Sequence, residues 1–364
     1  MCGRTPLFRA AENGHEEIVR VLIERNDVNS SIVDERGRTP LCVAAQKGHE
    51  GVVRVLVERR NDLNTADSCG QTPLSWAASE GHVRVVRILL EQSDINPNIA
   101  DTVYGQTPLS LAAEGGWKEV VRTLLGRVDV NPNIPDKTGL TPLSFAARYA
   151  EVVRILLGRD DVNPNTADKN GQTPLFYAAY RGSAGVVRIL MNRNDCNLEK
   201  VDNSGWTPLS VAVYRGHSRV VSVLLEPNGF DPGRAKIHAR TALLLAAEWG
   251  RAEVVRVLLE RKGIDPNSAD KYGRTPLAWA AGNGYEQVVR ILLARKAVNP
   301  TIADRCGQTA DWWATQNGYH IIAKLVRDRA NSTLRYAANL EPTDPGSPAL
   351  SRPCEPPSKR IRRF

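Results

Sequence analysis

Histidine, cysteine and arginine offer this 364-residue chain its richest chemistry, and their spacing decides how much of it is used. Four of the six histidines, His15, His49, His82 and His217, each follow a glycine at the same point of a longer pattern. A metal site needs ligands at short, converging spacings, and neither an H-E-x-x-H helix nor a companion for His238 or His320 is present. The four are expected to hydrogen-bond backbone in a turn. The six cysteines include no C-x-x-C pair and no regular spacing, so neither zinc nor a disulfide framework is expected, and reduced thiols fit an intracellular protein. No Walker loop, no G-x-S-x-G and no paired carboxylates occur, so the residues predict no enzyme, no cofactor and no metal.

The arginines are regular. Arg20, Arg54, Arg87, Arg122, Arg154, Arg188, Arg256 and Arg290 hold one position of a recurring apolar segment and would form an outer stripe. Glu24, Glu58, Glu91 and Glu260 lie four residues after Arg20, Arg54, Arg87 and Arg256, a helical pair spacing. After Arg122, Arg154 and Arg188 that place holds Gly126, Gly158 and Asn192, which leaves these three open to an acidic partner.

The stretch Gly70 to Asp101 shows what positions these side chains. Thr72 can cap a helix and Pro73 fits its first position, where a missing N–H costs nothing. Leu74, Ala77 and Ala78 give that helix an apolar face, and Gly81 supplies the left-handed residue that ends it. A second helix begins near Val83, buries Val85, Val86, Leu89 and Leu90, and stops before Asn96-Pro97. A turn-rich finger follows. Burying six aliphatic side chains at roughly 1.5–3 kcal/mol each does not offset about 1–2 kcal/mol of backbone entropy for each of some thirty residues, so stability must come from neighbours.

Thr-Pro-Leu recurs at Thr5, Thr39, Thr72, Thr107, Thr141, Thr173, Thr207 and Thr275, with altered forms at Thr241 and Thr309, at intervals of 32 to 35 residues. Two helices and a turn at this period resemble the ankyrin-repeat family. The resemblance implies an all-α solenoid of ten repeats over residues 3–330. The Asp-Val-Asn-Pro-Asn fingers at Asp129 and Asp161 give it the flavour of arrays common in filamentous fungi. Repeat five is two residues short after Ala146-Ala147 and lacks its Gly-His turn, so its helix pair must repack or kink. Repeat eight has an atypical basic finger over Pro227 to Arg240. Repeat ten, with Trp312, Trp313, Lys324, Arg327, Asp328 and Arg329, reads as a cap. Repeat one starts with no polar cap before it, which fits either a fraying end or a piece of a longer chain. Serine stands after Thr-Pro-Leu in several repeats, where the family usually has histidine, and can make a smaller version of its bond.

The family's partner contacts tend to come from the residue between the finger glycine and Thr and from the two residues after Ala-Ala, on the concave side. Repeats one to three offer a polar set there: Arg4, Arg38, Gln71, Glu12, Asn13, Gln46, Lys47, Ser79 and Glu80. Repeats five to eight offer Leu140, Arg148, Tyr149, Tyr180, Arg181, Trp206, Tyr214, Arg215, Glu248 and Trp249, types that dominate binding hot spots. The competing reading is that some of these aromatics fold back as packing. The expected function is a non-enzymatic scaffold, a monomer, that binds a protein partner.

Residues 331–364 carry six prolines, few aliphatics and no period, so they are expected to be a disordered tail. Lys359, Arg360, Arg362 and Arg363 resemble an import signal read by importin. A nuclear chain, with transcription co-regulation as the extension, follows if they are read; otherwise the chain is cytoplasmic. The net charge of +8 includes +3 from the tail, too dilute a charge on the array to favour nucleic acid. The resemblance leaves one other class open, the sensor end of a larger NACHT/STAND-type signalling NTPase. Neither a membrane span nor a signal peptide is read from the sequence.

Overall fold

In the computed structural model, which describes residues 5–25, 28–59, 63–226 and 241–338 (the last five as backbone only), threonine caps the first helix of most repeats. The Ser75 N–H donates to Thr72 Oγ1 at 3.1 Å, and the Ser75 hydroxyl lies 3.0 Å from the same oxygen. In repeat seven the Thr207 N–H donates to Ser210 Oγ at 2.8 Å, completing a reciprocal cap. Serine therefore does make the smaller bond expected of it.

The chain divides into two units, Met1–Asn197 and Leu198–Phe364. The first contains α1 (Pro6–Glu12), α2 (Glu16–Glu24), α3 (Pro40–Lys47), α4 (Glu50–Val57), α5 (Pro73–Ser79), α6 (Val83–Leu90), α7 (Pro108–Gly115), α8 (Lys118–Leu125), α9 (Pro142–Phe145), α10 (Ala150–Leu157), α11 (Pro174–Arg181) and α12 (Ala184–Met191). The second contains α13 (Pro208–Arg215), α14 (Ser218–Leu224), α15 (Ala242–Glu248), α16 (Ala252–Leu259), α17 (Pro276–Gly282), α18 (Glu286–Leu293), α19 (Ala310–Gln316) and α20 (His320–Ala338). Within each unit the odd-numbered helices pack side by side in one layer and the even-numbered ones in another. No strand occurs among the described residues.

The core repeats as the sequence does. Leu74, Leu109, Leu143 and Leu175 from the first helices and Leu89, Leu124, Leu156 and Leu190 from the second are fully buried in the first unit. Each is worth roughly 1.5–3 kcal/mol of transfer free energy. Ala77-Ala78 and its counterparts are buried beside them and let the helices approach.

Repeat five resolves its deletion locally. Helix α9 is a single turn and continues as a 3-10 turn over Ala146–Arg148, closed by the Tyr149 N–H on the Ala146 carbonyl at 2.8 Å. The tighter winding removes the residues that a glycine turn would occupy. Helix α10 then buries Val152, Val153 and Leu156 as its neighbours bury their own.

Two ladders join successive fingers. Asn133 donates from Nδ2 to the Asp161 carbonyl at 2.6 Å and accepts the Asn163 N–H at 3.1 Å. Asn64, Asn98 and Asn165 make the same pair of bonds in the first unit, and Asn267 does in the second. The side-chain amide mimics a peptide, which accounts for the second asparagine of the finger motif. Beside it, Arg127, Arg159 and Arg193 each chelate an aspartate two residues on and reach a carbonyl of the preceding repeat. These bonds hold the Asp129, Asp161 and Asp195 carboxyls below the usual carboxylate range. Replacing Asn133 by alanine is expected to cost about 1–2 kcal/mol, two solvent-accessible hydrogen bonds' worth. Asn133→Asp, which keeps only the acceptor, should cost less. Equal midpoints for the two variants in urea unfolding would rule out the acceptor bond from the Asn163 N–H as a contributor.

The other end differs from expectation in one respect. The tail was expected from Asn331, whereas α20 runs on to Ala338. The expected disorder beyond it, the repeat-eight finger Pro227 to Arg240, His238, Arg4 and the basic cluster at Lys359, Arg360, Arg362 and Arg363 lie outside the described residues. Trp313 is buried and donates to Asp304, with Trp312 edge-on to it at 5.0 Å. Lys324, Arg327 and Asp328 are exposed on α20, as a cap requires. Cys42, Cys69 and Cys196 are free thiols. Burial pushes the Cys42 and Cys196 thiols up to about 11, so neither is a nucleophile at neutral pH.

Candidate interaction surface

The glycine that ends each first helix, and the residue after it, set the geometry of the surface. Gly81 has φ +79°, and the Trp117 ring of the next repeat lies against it, 2.6 Å from where a Cβ would stand. His49 covers Gly14, His82 covers Gly48, Tyr285 covers Gly250 and Tyr319 covers Gly284 in the same way. The clasp is also polar. His49 Nε2 lies 3.1 Å from the Glu12 carbonyl, His82 Nε2 lies 3.0 Å from that of Gln46, and Trp117 Nε1 donates to Ser79 at 2.8 Å. The imidazoles bond backbone as expected, but the carbonyl belongs to the preceding repeat. Sequence reading missed this, although a ring or long side chain at that position in every repeat but the sixth, which has Ser183, was the available signal.

Tyr149 is drawn into the same clasp. The shortened turn of repeat five moves it into the place of the missing histidine, and its ring lies 2.7 Å from a Cβ built on Gly116. That assigns Tyr149 to packing. Arg148 and Arg181 are exposed, and Leu140 and Tyr180 are half-buried, all in the first unit.

In the second unit Trp206, Tyr214 and Trp249 meet. Trp206 follows Gly205 in the finger, where its N–H donates to Asp202 Oδ1 at 2.8 Å. Tyr214 sits on the last turn of α13, and Trp249 caps α15. Tyr214 contacts Trp206 edge-to-face at 5.4 Å and Trp249 at 4.8 Å. Arg251 Nε donates to the Tyr214 carbonyl at 2.8 Å, which fixes that turn. All three rings are half-buried, and Arg215 beside them is exposed. Other aromatics are committed elsewhere. Trp76, Tyr177, Trp279 and Trp313 each donate to the finger aspartate nine residues before them. Arg274, not singled out from sequence, stacks between Trp313 at 4.5 Å and Trp279 at 5.3 Å.

Two expected features change. Arg38 is buried and held by Asp34 and Gln46, so it is a structural residue. Burial raises the Asp34 carboxyl, and the hydrogen bonds from Arg38 and Arg36 more than reverse that. The arginine stripe pairs backwards. Arg20 meets Glu16 and Arg54 meets Glu50, not Glu24 and Glu58, because helical side chains lean toward the N-terminus. Arg122 and Arg154, expected to lack a partner, pair with Glu119 and Glu151. Among the described residues no group of three potential metal ligands lies together, and no helix is long and apolar enough to cross a membrane.

Repeating helix pairs, threonine caps and glycine-ended turns define a class of stacked helical repeat. A family model described as ankyrin repeats (three copies) matches overlapping segments from residue 2 to residue 304. The chain belongs to the ankyrin-repeat family, whose fold is a non-enzymatic scaffold for protein interaction. Among solved structures it is similar to the ankyrin repeat domain of Bcl-3, described as a unique member of the IkappaB protein family. The two share 27% identity and a TM-score of 0.54 over 62% of this chain and 99% of that one. No curated protein matches the chain.

Proposed function

We propose that this chain captures a partner protein through the first-helix ends and fingers of repeats five to eight, with Trp206, Tyr214 and Trp249 as its anchor. The observation that carries this reading is the contact of Tyr214 with both Trp206 and Trp249, three half-buried rings at positions where the fold itself demands no aromatic. Large rings at such sites gain affinity at low entropic cost. Arg215 beside the rings supplies a further contact, and in the first unit Leu140, Arg148, Tyr180 and Arg181 are contacts of their own, with Tyr149 packed on Gly116. The test is partner capture from cell extract by the chain with Trp206 and Trp249 both changed to alanine; undiminished capture would overturn the site.

The same proposal places the protein in the nucleus, as a monomer acting in transcription co-regulation, with importin reading Lys359, Arg360, Arg362 and Arg363. The sequence cluster and the likeness to an IkappaB family member support it. Removing residues 356–364 should leave the protein cytoplasmic. A nuclear signal unaltered by that removal would dispose of the import step.

A further inference from the structure

The last turns of α5, α7, α9 with its 3-10 extension, and α11 carry an ordered series of charges. Glu80 caps α5, Glu114 lies on the last turn of α7, Arg148 ends the 3-10 turn and Arg181 ends α11. These helices are consecutive neighbours in one layer of the first unit, so the charges at their C-terminal ends run from acidic to basic, Glu114 and Arg148 standing one residue after Ala-Ala and Glu80 and Arg181 two. All four are exposed. None forms an ion pair within the described chain, unlike Arg122 and Arg154 on the second helices, whose charges are matched by Glu119 and Glu151. Glu114 accepts a hydrogen bond from Gln106 Nε2 at 2.9 Å, which steadies its carboxylate without neutralising it. Before the row, Glu12 and Lys47 stand in repeats one and two.

We propose that this row selects an extended acidic-and-basic peptide segment, its basic end over Glu80 and Glu114 and its acidic end over Arg148 and Arg181. Neighbouring helices lie about 8–10 Å apart, and an extended chain advances about 3.3 Å per residue. One charge of the partner every third residue therefore meets each repeat in turn. Screening over about 8–10 Å at physiological salt keeps each contact local, so the order of charges matters and not only their sum. A uniformly acidic or basic segment would meet two like charges and be rejected. The half-buried Tyr180 beside Arg181 offers an apolar edge at the basic end. This rests on the reading of first-helix ends as partner-facing, and not on the ring cluster of the second unit.

The test uses the full chain and three fluorescent peptides of glycine and serine with four charges spaced three apart: two lysines then two glutamates, four lysines, and four glutamates. By anisotropy at about 0.15 M salt, where screening keeps the contacts local, the mixed peptide should bind about tenfold more tightly than either uniform one, a difference of about 1.4 kcal/mol. The variant R148E/R181E should turn that preference to the lysine peptide, and E80K/E114K to the glutamate peptide. The neutral pairs R148Q/R181Q and E80Q/E114Q, checked with the reversals by circular dichroism, serve if a reversal fails to fold, and should abolish the preference. Equal binding of the three peptides, no binding of the mixed one, or a preference that survives reversal would each overturn the proposal. Capture of the cellular partner lost on changing Trp206 and Trp249, with the peptide preference intact, separates this row from the ring cluster.

Discussion

Changing Gly81 to alanine is expected to destabilise the chain by about 2–4 kcal/mol, the sum of two separable effects. The first is backbone strain, because φ at Gly81 is +79° and a left-handed conformation costs a residue with a Cβ about 1–2 kcal/mol. The second is steric. The new methyl would stand 2.6 Å from Trp117 Cδ2 and 2.8 Å from Cε2 and Cε3, inside contact distance, so the indole must swing away. It then gives up its hydrogen bond to Ser79 and its packing on the turn, about 1–2 kcal/mol more. Gly318 isolates the first effect, since it has φ +81° and no heavy atom within 4 Å of a built Cβ. Gly318→Ala should therefore cost about half as much. Chemical unfolding of both variants decides the matter, and equal losses would mean that the ring clasp contributes nothing. Adding Trp117→Ala to Gly81→Ala should cost less than the two single changes summed, because the ring that clashes is gone.

The second large effect is on binding. Trp206→Ala with Trp249→Ala removes both outer rings of the cluster and leaves Tyr214 without its edge-to-face neighbours. Hot-spot aromatics are worth about 2 kcal/mol or more each, so the double variant should weaken partner capture by about a thousandfold, at 1.4 kcal/mol per factor of ten. Both rings are half-buried rather than enclosed, so the fold should tolerate their loss. Trp279→Ala is the informative contrast. That indole is buried and holds Asp270, so its removal should lower stability and leave capture by the folded protein unchanged. Loss of capture in the Trp279 variant at a temperature where it remains folded would show that the effect does not belong to the cluster.

Much of this architecture is legible in the residues. Thr72, Pro73 and Gly81 announce a helix and its end through local chemistry alone, and the recurrence of Thr-Pro-Leu announces that the helices stack. Local signals of this kind act within one turn of chain, so they survive without knowledge of neighbours. Signals that act between repeats do not. Tyr149 illustrates the limit: its place after Ala-Ala suggested a partner contact, whereas the shortened turn lays it on Gly116. The arginine stripe is a second case, since both Glu16 and Glu24 are within helical reach of Arg20, and only side-chain direction selects Glu16.

The sequence alone determined the helical class, the repeat period, the caps and the identity of the rings that stand at variable positions, because each is written in a short run of residues. Only the tertiary structure decided that Tyr214 touches both Trp206 and Trp249, that Asn133 and its counterparts bridge successive fingers, and that the helix ends bearing Glu80, Glu114, Arg148 and Arg181 are neighbours. Apart from Trp206 and Tyr214, which share a repeat, those pairings join residues some thirty positions apart, and the packing of one helix on the next brings them together.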